Sequence, residues 1–110
     1  MKIPNDSKVH LIEYTPKFSV ICSIGKAPFH GMIKIKFMPG DWLLEFEAFE
    51  KFLKDEAMHE YTVESLCRFI FEKLLLVLVN PSSLVVSVCA QTMVHADVTA
   101  TIEYYGSRIK

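Results

Sequence analysis

Two-residue alternation near both ends of the chain, with a 3.6-residue period between them, is the feature that most limits what this sequence can become. Phe18 to Ile24 sets Phe18, Val20, Cys22 and Ile24 against Ser19, Ile21 and Ser23, and Met32 to Phe37 sets Ile33, Ile35 and Phe37 against Lys34 and Lys36. Both patterns predict strands, with Gly25 to Pro28 supplying turn residues between them. Pro39-Gly40-Asp41 is a breaker, after which Phe46, Phe49, Phe52 and Leu53 recur at helical spacing. Trp42 to Glu45 fits either the opening turn of that helix or a short continuation of the strand. Thr62 predicts the N-cap of a second helix, since its hydroxyl can accept from an otherwise unpaired amide and Glu64 suits the positive end of the dipole. Glu64, Arg68 and Glu72 fall four apart on that helix, which is otherwise lined by Leu66, Phe69, Ile70, Leu74, Leu75 and Leu78 and ends at Asn80-Pro81. Leu84 to Ala90 and Ala96 to Tyr105 then read as a closing hairpin. The expected fold is α+β, a four-stranded antiparallel sheet with two helices on one face in the order ββααββ.

At 110 residues there is room for one domain, spanning 1–110. Hydrophobic residues make up 51% and charged residues 23%, a globular composition that excludes disorder. The apolar excess fits either a well-filled core or additional surface buried against sister subunits. The longest apolar run, Leu74 to Val79, is far short of the roughly 20 residues a membrane-spanning helix needs. Met1-Lys2-Ile3-Pro4-Asn5-Asp6 lacks the pattern of a secretory signal, so a cytoplasmic location is expected. Cys22, Cys67 and Cys89 are an odd set without C-x-x-C spacing, which encodes neither a disulfide framework nor a cysteine zinc site. Charge is two-sided: residues 1–40 carry six lysines against Asp6 and Glu13, whereas residues 41–72 carry nine acids against Lys51, Lys54 and Arg68. A basic side can face nucleic acid, although dispersed lysines are more often an ordinary solvated surface.

Three segments, in order, resemble the 7-cyano-7-deazaguanine reductase family of the tunnelling-fold superfamily, over about residues 17–105, with 1–16 as an N-terminal extension. Phe18-Ser19-Val20-Ile21-Cys22 resembles the strand that ends in that family's nucleophilic cysteine, with Pro28 and Ile33 at the expected offsets. Met58-His59-Glu60 resembles the segment whose glutamate binds the base. Val79-Asn80-Pro81, followed by a valine-rich strand, resembles the family's helix end and third strand. The reductases also carry a Glu-(Ser/Leu)-Lys-(Ser/Ala)-x-Lys motif for NADPH, and here that run is Glu45-Phe46-Glu47-Ala48-Phe49-Glu50. Two lysines have become glutamates, which replaces attraction for an anionic cofactor by repulsion. In this respect the chain resembles the shorter archaeal QueF-like proteins, archaeosine synthases of the amidinotransferase type. That resemblance implies a homo-oligomer with pockets at subunit interfaces, a tRNA substrate carrying 7-cyano-7-deazaguanine, ammonia as co-substrate, and no NADPH.

The implied chemistry suits the residue types. A thiolate adds to a nitrile carbon to give a thioimide that a second nucleophile attacks, and Cys22 is the implied thiol. A carboxylate can accept two hydrogen bonds from the ring N–H and exocyclic amine of a guanine-like edge, the role implied for Glu60. Taken alone, Cys22 reads as a small core residue and Glu60 as an acid at a helix start. Protonation of the developing nitrogen needs an acid, for which His59 and His30 are candidates. The family's aspartate seven positions after the cysteine is absent: Phe29 stands there, with His30 one position on. The alternatives are an NADPH-dependent nitrile reductase and a noncatalytic module that binds a base or RNA.

Overall fold

The computed structural model describes residues 1–22, 28–57, 60–91 and 96–106. Its centre is the antiparallel run β3 (Lys17–Cys22), β4 (Pro28–Met38), β7 (Ser83–Gln91) and β8 (Val98–Tyr105), adjacent in that order. Alternation becomes burial here: Ile33, Ile35 and Phe37 of β4 are at most 1% exposed while Met32, Lys34, Lys36 and Met38 between them face outward. On β7 the buried set is Leu84, Val86, Val88 and Ala90.

The buried face is covered by α1 (Phe46–Phe52), which continues as a π-helical turn over Leu53–Ala57, and by α2 (Val63–Leu78). Leu66, Cys67, Ile70, Leu74 and Leu78 of α2 join Phe49 and Phe52 of α1 in one core cluster, and the rings of Phe52 and Phe69 stack at 5.5 Å. Glu45, where periodicity left helix and strand open, proves to be the N-cap of α1, its carboxylate accepting from the Ala48 amide at 2.9 Å. Thr62 caps α2 as expected, in a reciprocal box with Ser65: each side chain accepts from the other's amide at 3.0 Å. Beyond α2, Val79 and Asn80 adopt left-handed φ angles of 50° and 54°, turning the chain into Pro81.

The α+β architecture of two helices against an antiparallel sheet holds, but ββααββ does not describe the whole chain. Three short strands are not legible in the sequence, β1 (Lys2–Pro4), β2 (Ile12–Tyr14) and β6 (Glu60–Tyr61), and Trp42–Leu44, open between helix and strand, forms a fourth, β5. Two or three residues are too few to show a period of two. β2 pairs with β4 beyond the point where β3 begins, β1 and β5 form a separate two-stranded sheet, and β6 pairs with β3 in parallel. β3 carries the first expected strand as far as Cys22, and Ser23 and Ile24 lie outside the described residues, while β4 starts at Pro28, four residues before its clear alternation. Asn5, buried, ties the first segment down: its amide nitrogen donates to the carbonyls of Val9 and Gly40, both at 3.1 Å. Among the described residues no helix is long and apolar enough to cross a membrane.

Candidate active site

Cys22 is the last residue of β3 and Glu60 the first of β6, and the two strands are neighbours. Their parallel register sets Ile21 opposite Glu60 and Cys22 opposite Tyr61. With paired strands about 4.8 Å apart, the backbones of Cys22 and Glu60 are diagonal neighbours although 38 positions separate them in sequence. Glu60 is therefore a strand residue two positions before the Thr62 cap rather than part of the helix start. The rigid entry of α2 holds β6 on one side and β3 holds it on the other.

His30 lies inside β4, not in a loop, with Ser19 opposite on β3 and Gln91 opposite on β7. Because Ile21 is opposite Pro28, the register places His30 three positions back along β3 from Cys22, about 10 Å at the rise of an extended chain. Phe29, at the position of the family aspartate, is opposite Val20. His59 lies outside the described residues, immediately before Glu60.

The run Glu45 to Glu50 has structural partners that spacing alone did not show. Glu45 caps α1, and Glu50 accepts a 2.6 Å hydrogen bond from the hydroxyl of Tyr14 on β2. Glu47, in the first turn of α1, is exposed. The Tyr14 ring packs at 4.5 Å from Phe46 and 6.0 Å from Phe49, so burial first, then the bond to Glu50 and its charge, push the phenol far above its ordinary range. Replacing Tyr14 by Phe is expected to cost about 1 kcal/mol at pH 7, the low end because the pair reaches the surface. A group whose pKa is raised on folding contributes fully below its unfolded pKa, here about 10, and less as pH climbs through the folded value. Urea unfolding of both proteins at pH 7 and near pH 11 should show the gap narrowing; a gap independent of pH would remove this account.

Of the other thiols, Cys67 is fully buried and donates to the carbonyls of Val86 at 3.3 Å and Ala100 at 3.5 Å; burial raises its pKa and makes it inert. Cys89 is half-buried on the outer sheet face, in a groove of about 470 Å³ lined by Gly31, Met32, Lys34, Ser87, Gln91 and Thr99. That groove was invisible in the sequence because its residues come from three strands. Lys34 and Lys36 are both exposed on the same face. Among the described residues no group of three or more His, Cys, Asp or Glu is placed to hold a metal ion.

No family model and no curated protein matches the sequence. The fold does match a solved structure, described as the crystal structure of the archaeosine synthase QueF-Like in the apo form. The match has a TM-score of 0.74 and 20% sequence identity, and covers 86% of this chain and 93% of that one. Over most of its length, then, this chain shares the fold of an archaeosine synthase.

Proposed function

We propose that this chain is a tunnelling-fold, tRNA-modifying enzyme that converts the nitrile of 7-cyano-7-deazaguanine in tRNA to the formamidine of archaeosine, with ammonia as second substrate. The observation that carries the reading is the β3–β6 register, which makes neighbours of a cysteine and a glutamate that are far apart in sequence. The shared fold with a protein described as an archaeosine synthase supports it.

In this reading Glu60 holds the guanine-like edge of the base, and the Cys22 sulfur adds to the nitrile carbon. A C–S bond forms, one π bond of the nitrile breaks, and the nitrogen takes a proton from a histidine. His59, next to Glu60 in the chain, is the nearer donor by sequence; His30 is the other, at the longer register distance. Ammonia then adds to the thioimide carbon, the C–S bond breaks, and the thiolate leaves with the formamidine complete. No electrons are gained or lost overall, so no NADPH is required. A nitrile reductase would need two hydrides from an anionic cofactor, and the acidic run on α1 disfavours its phosphates. The noncatalytic module is favoured by one observation, Phe29 in place of the aspartate.

Lys34 and Lys36, exposed together on β4, are the proposed contacts to tRNA phosphates. Incubation of nitrile-bearing tRNA with the protein and ammonium, followed by digestion to nucleosides, is expected to yield the formamidine nucleoside by mass. Replacing both lysines by Ala should lower tRNA affinity and flatten its log–log salt slope by about 1 to 2. Consumption of NADPH with formation of an amine would favour the reductase. Base binding that is indifferent to Cys22→Ser, with no modified nucleoside formed, would favour the module.

A further inference from the structure

Gly31 divides β4 into two halves with different duties. The half from Ile33 to Phe37 is anchored, with its inward residues at most 1% exposed against the helices. The half over residues 28–30 carries the Cys22 end of β3 by pairing, Ile21 to Pro28, Val20 to Phe29 and Ser19 to His30. β3 in turn carries β6. The backbones of Cys22, Glu60 and His30 are therefore all tied to the 28–30 end of β4.

At the junction the backbone of β7 comes unusually close. A Cβ on Gly31 would stand 1.7 Å from the carbonyl oxygen of Cys89, 2.8 Å from its carbonyl carbon and 3.1 Å from the Cα of Ala90. All three are main-chain atoms in a ladder, so no side-chain rotation relieves the clash. No described glycine has a positive φ, so the requirement at Gly31 is closeness, not a left-handed conformation. Any other residue would force β4 away from β7 at this point. We infer that Gly31 is a positioning residue for the proposed reaction: the contact between its bare Cα and the Cys89 carbonyl fixes where the β3–β6 end of the sheet, and with it Cys22, is held.

The inference rests on Cys22 being the reacting thiol, and its test does not need the nitrile. Iodoacetamide alkylation of Cys22, resolved from Cys67 and Cys89 by peptide mass spectrometry, would be followed against pH in the wild type, Gly31→Ala and Gly40→Ala. At Gly40 an added Cβ meets only the Asn80 carbonyl oxygen, at 3.3 Å, away from β3. Iodoacetamide attack follows the thiolate fraction and access of the sulfur, so by moving Cys22 relative to its surroundings Gly31→Ala should change the Cys22 rate by about tenfold or more and move its pH midpoint. Gly40→Ala should do neither. A folded Gly31→Ala protein with wild-type Cys22 kinetics would overturn the inference. Should that variant not fold, hydrogen exchange in the wild type decides: alkylating Cys22 should alter amide protection at 18–21, 29–31 and 89–91 together, and a change confined to β3 would overturn it. Labelling of the wild type by the nitrile tests the enzymatic reading separately.

Discussion

Incubated with 7-cyano-7-deazaguanine, the protein is expected to gain the mass of the nitrile, and Cys22→Ala to gain nothing. The prediction is all-or-none because the adduct is covalent and the other two thiols are poorly suited to form it. Cys67 has no exposed surface and a raised pKa, and it is tied to two carbonyls inside the core. Cys89 is partly accessible but lies two strands from β3, across β4. Intact-mass spectrometry reads the outcome directly. An unshifted mass at saturating nitrile would sink the thioimide, and a shift that survives Cys22→Ala would move the chemistry to another residue. Glu60→Ala gives the companion result, since removing a carboxylate that accepts two hydrogen bonds should weaken the base by about 3 kcal/mol, roughly a hundredfold.

The second large effect is assembly: in sedimentation at micromolar concentration the chain is expected to run as a multiple of its 12.6 kDa mass. A folded monomer of this mass exposes about 6200 Å² and has a radius of gyration near 13 Å. This chain exposes 6927 Å² and has a radius of 14.4 Å, spread over a slab of 44 × 31 × 18 Å. The excess of about 700 Å² reflects a flattened shape that presents more surface than a compact monomer of this mass. Among the described residues β8 pairs with β7 alone, leaving an open edge, and Val98 and Tyr105 on that strand are 43% and 49% exposed. Ring closure through such edges is the assembly that the tunnelling-fold resemblance implies. A monomer in solution would remove that assembly and the interface pocket with it.

What the sequence disclosed follows from how each feature is encoded. Long elements announce themselves by period or composition, so the buried face of β4, β7 as a strand, the α1 aromatics and the Thr62 cap are legible in the sequence. Elements of two or three residues carry no period, so β6 could not be seen, and the structure alone makes Glu60 a strand neighbour of Cys22. Glu45 and Glu50 were legible as acids in a telling place but not as a cap and a tyrosine's acceptor, because a carboxylate's partner is set by packing. Gly31 looked like one small residue before an alternating stretch; its constraint comes from a main-chain oxygen 58 positions on. His30 is not legible as a strand residue because the alternation of β4 becomes clear only after it.

The two-residue β6 also bears on the order in which the molecule is built. Among the described residues its pairing with β3 has two register pairs, with Cys22 and Glu60 38 positions apart, whereas the β7–β8 hairpin has eight register pairs across a short connection. Loop-closure entropy and contact order therefore put the Cys22–Glu60 neighbourhood among the last to form and the first to open. A chain with its hairpin and α2 already docked would look native by helix content yet lack the paired site. Nascent or heat-stressed copies would thus be chemically silent before they are visibly unfolded.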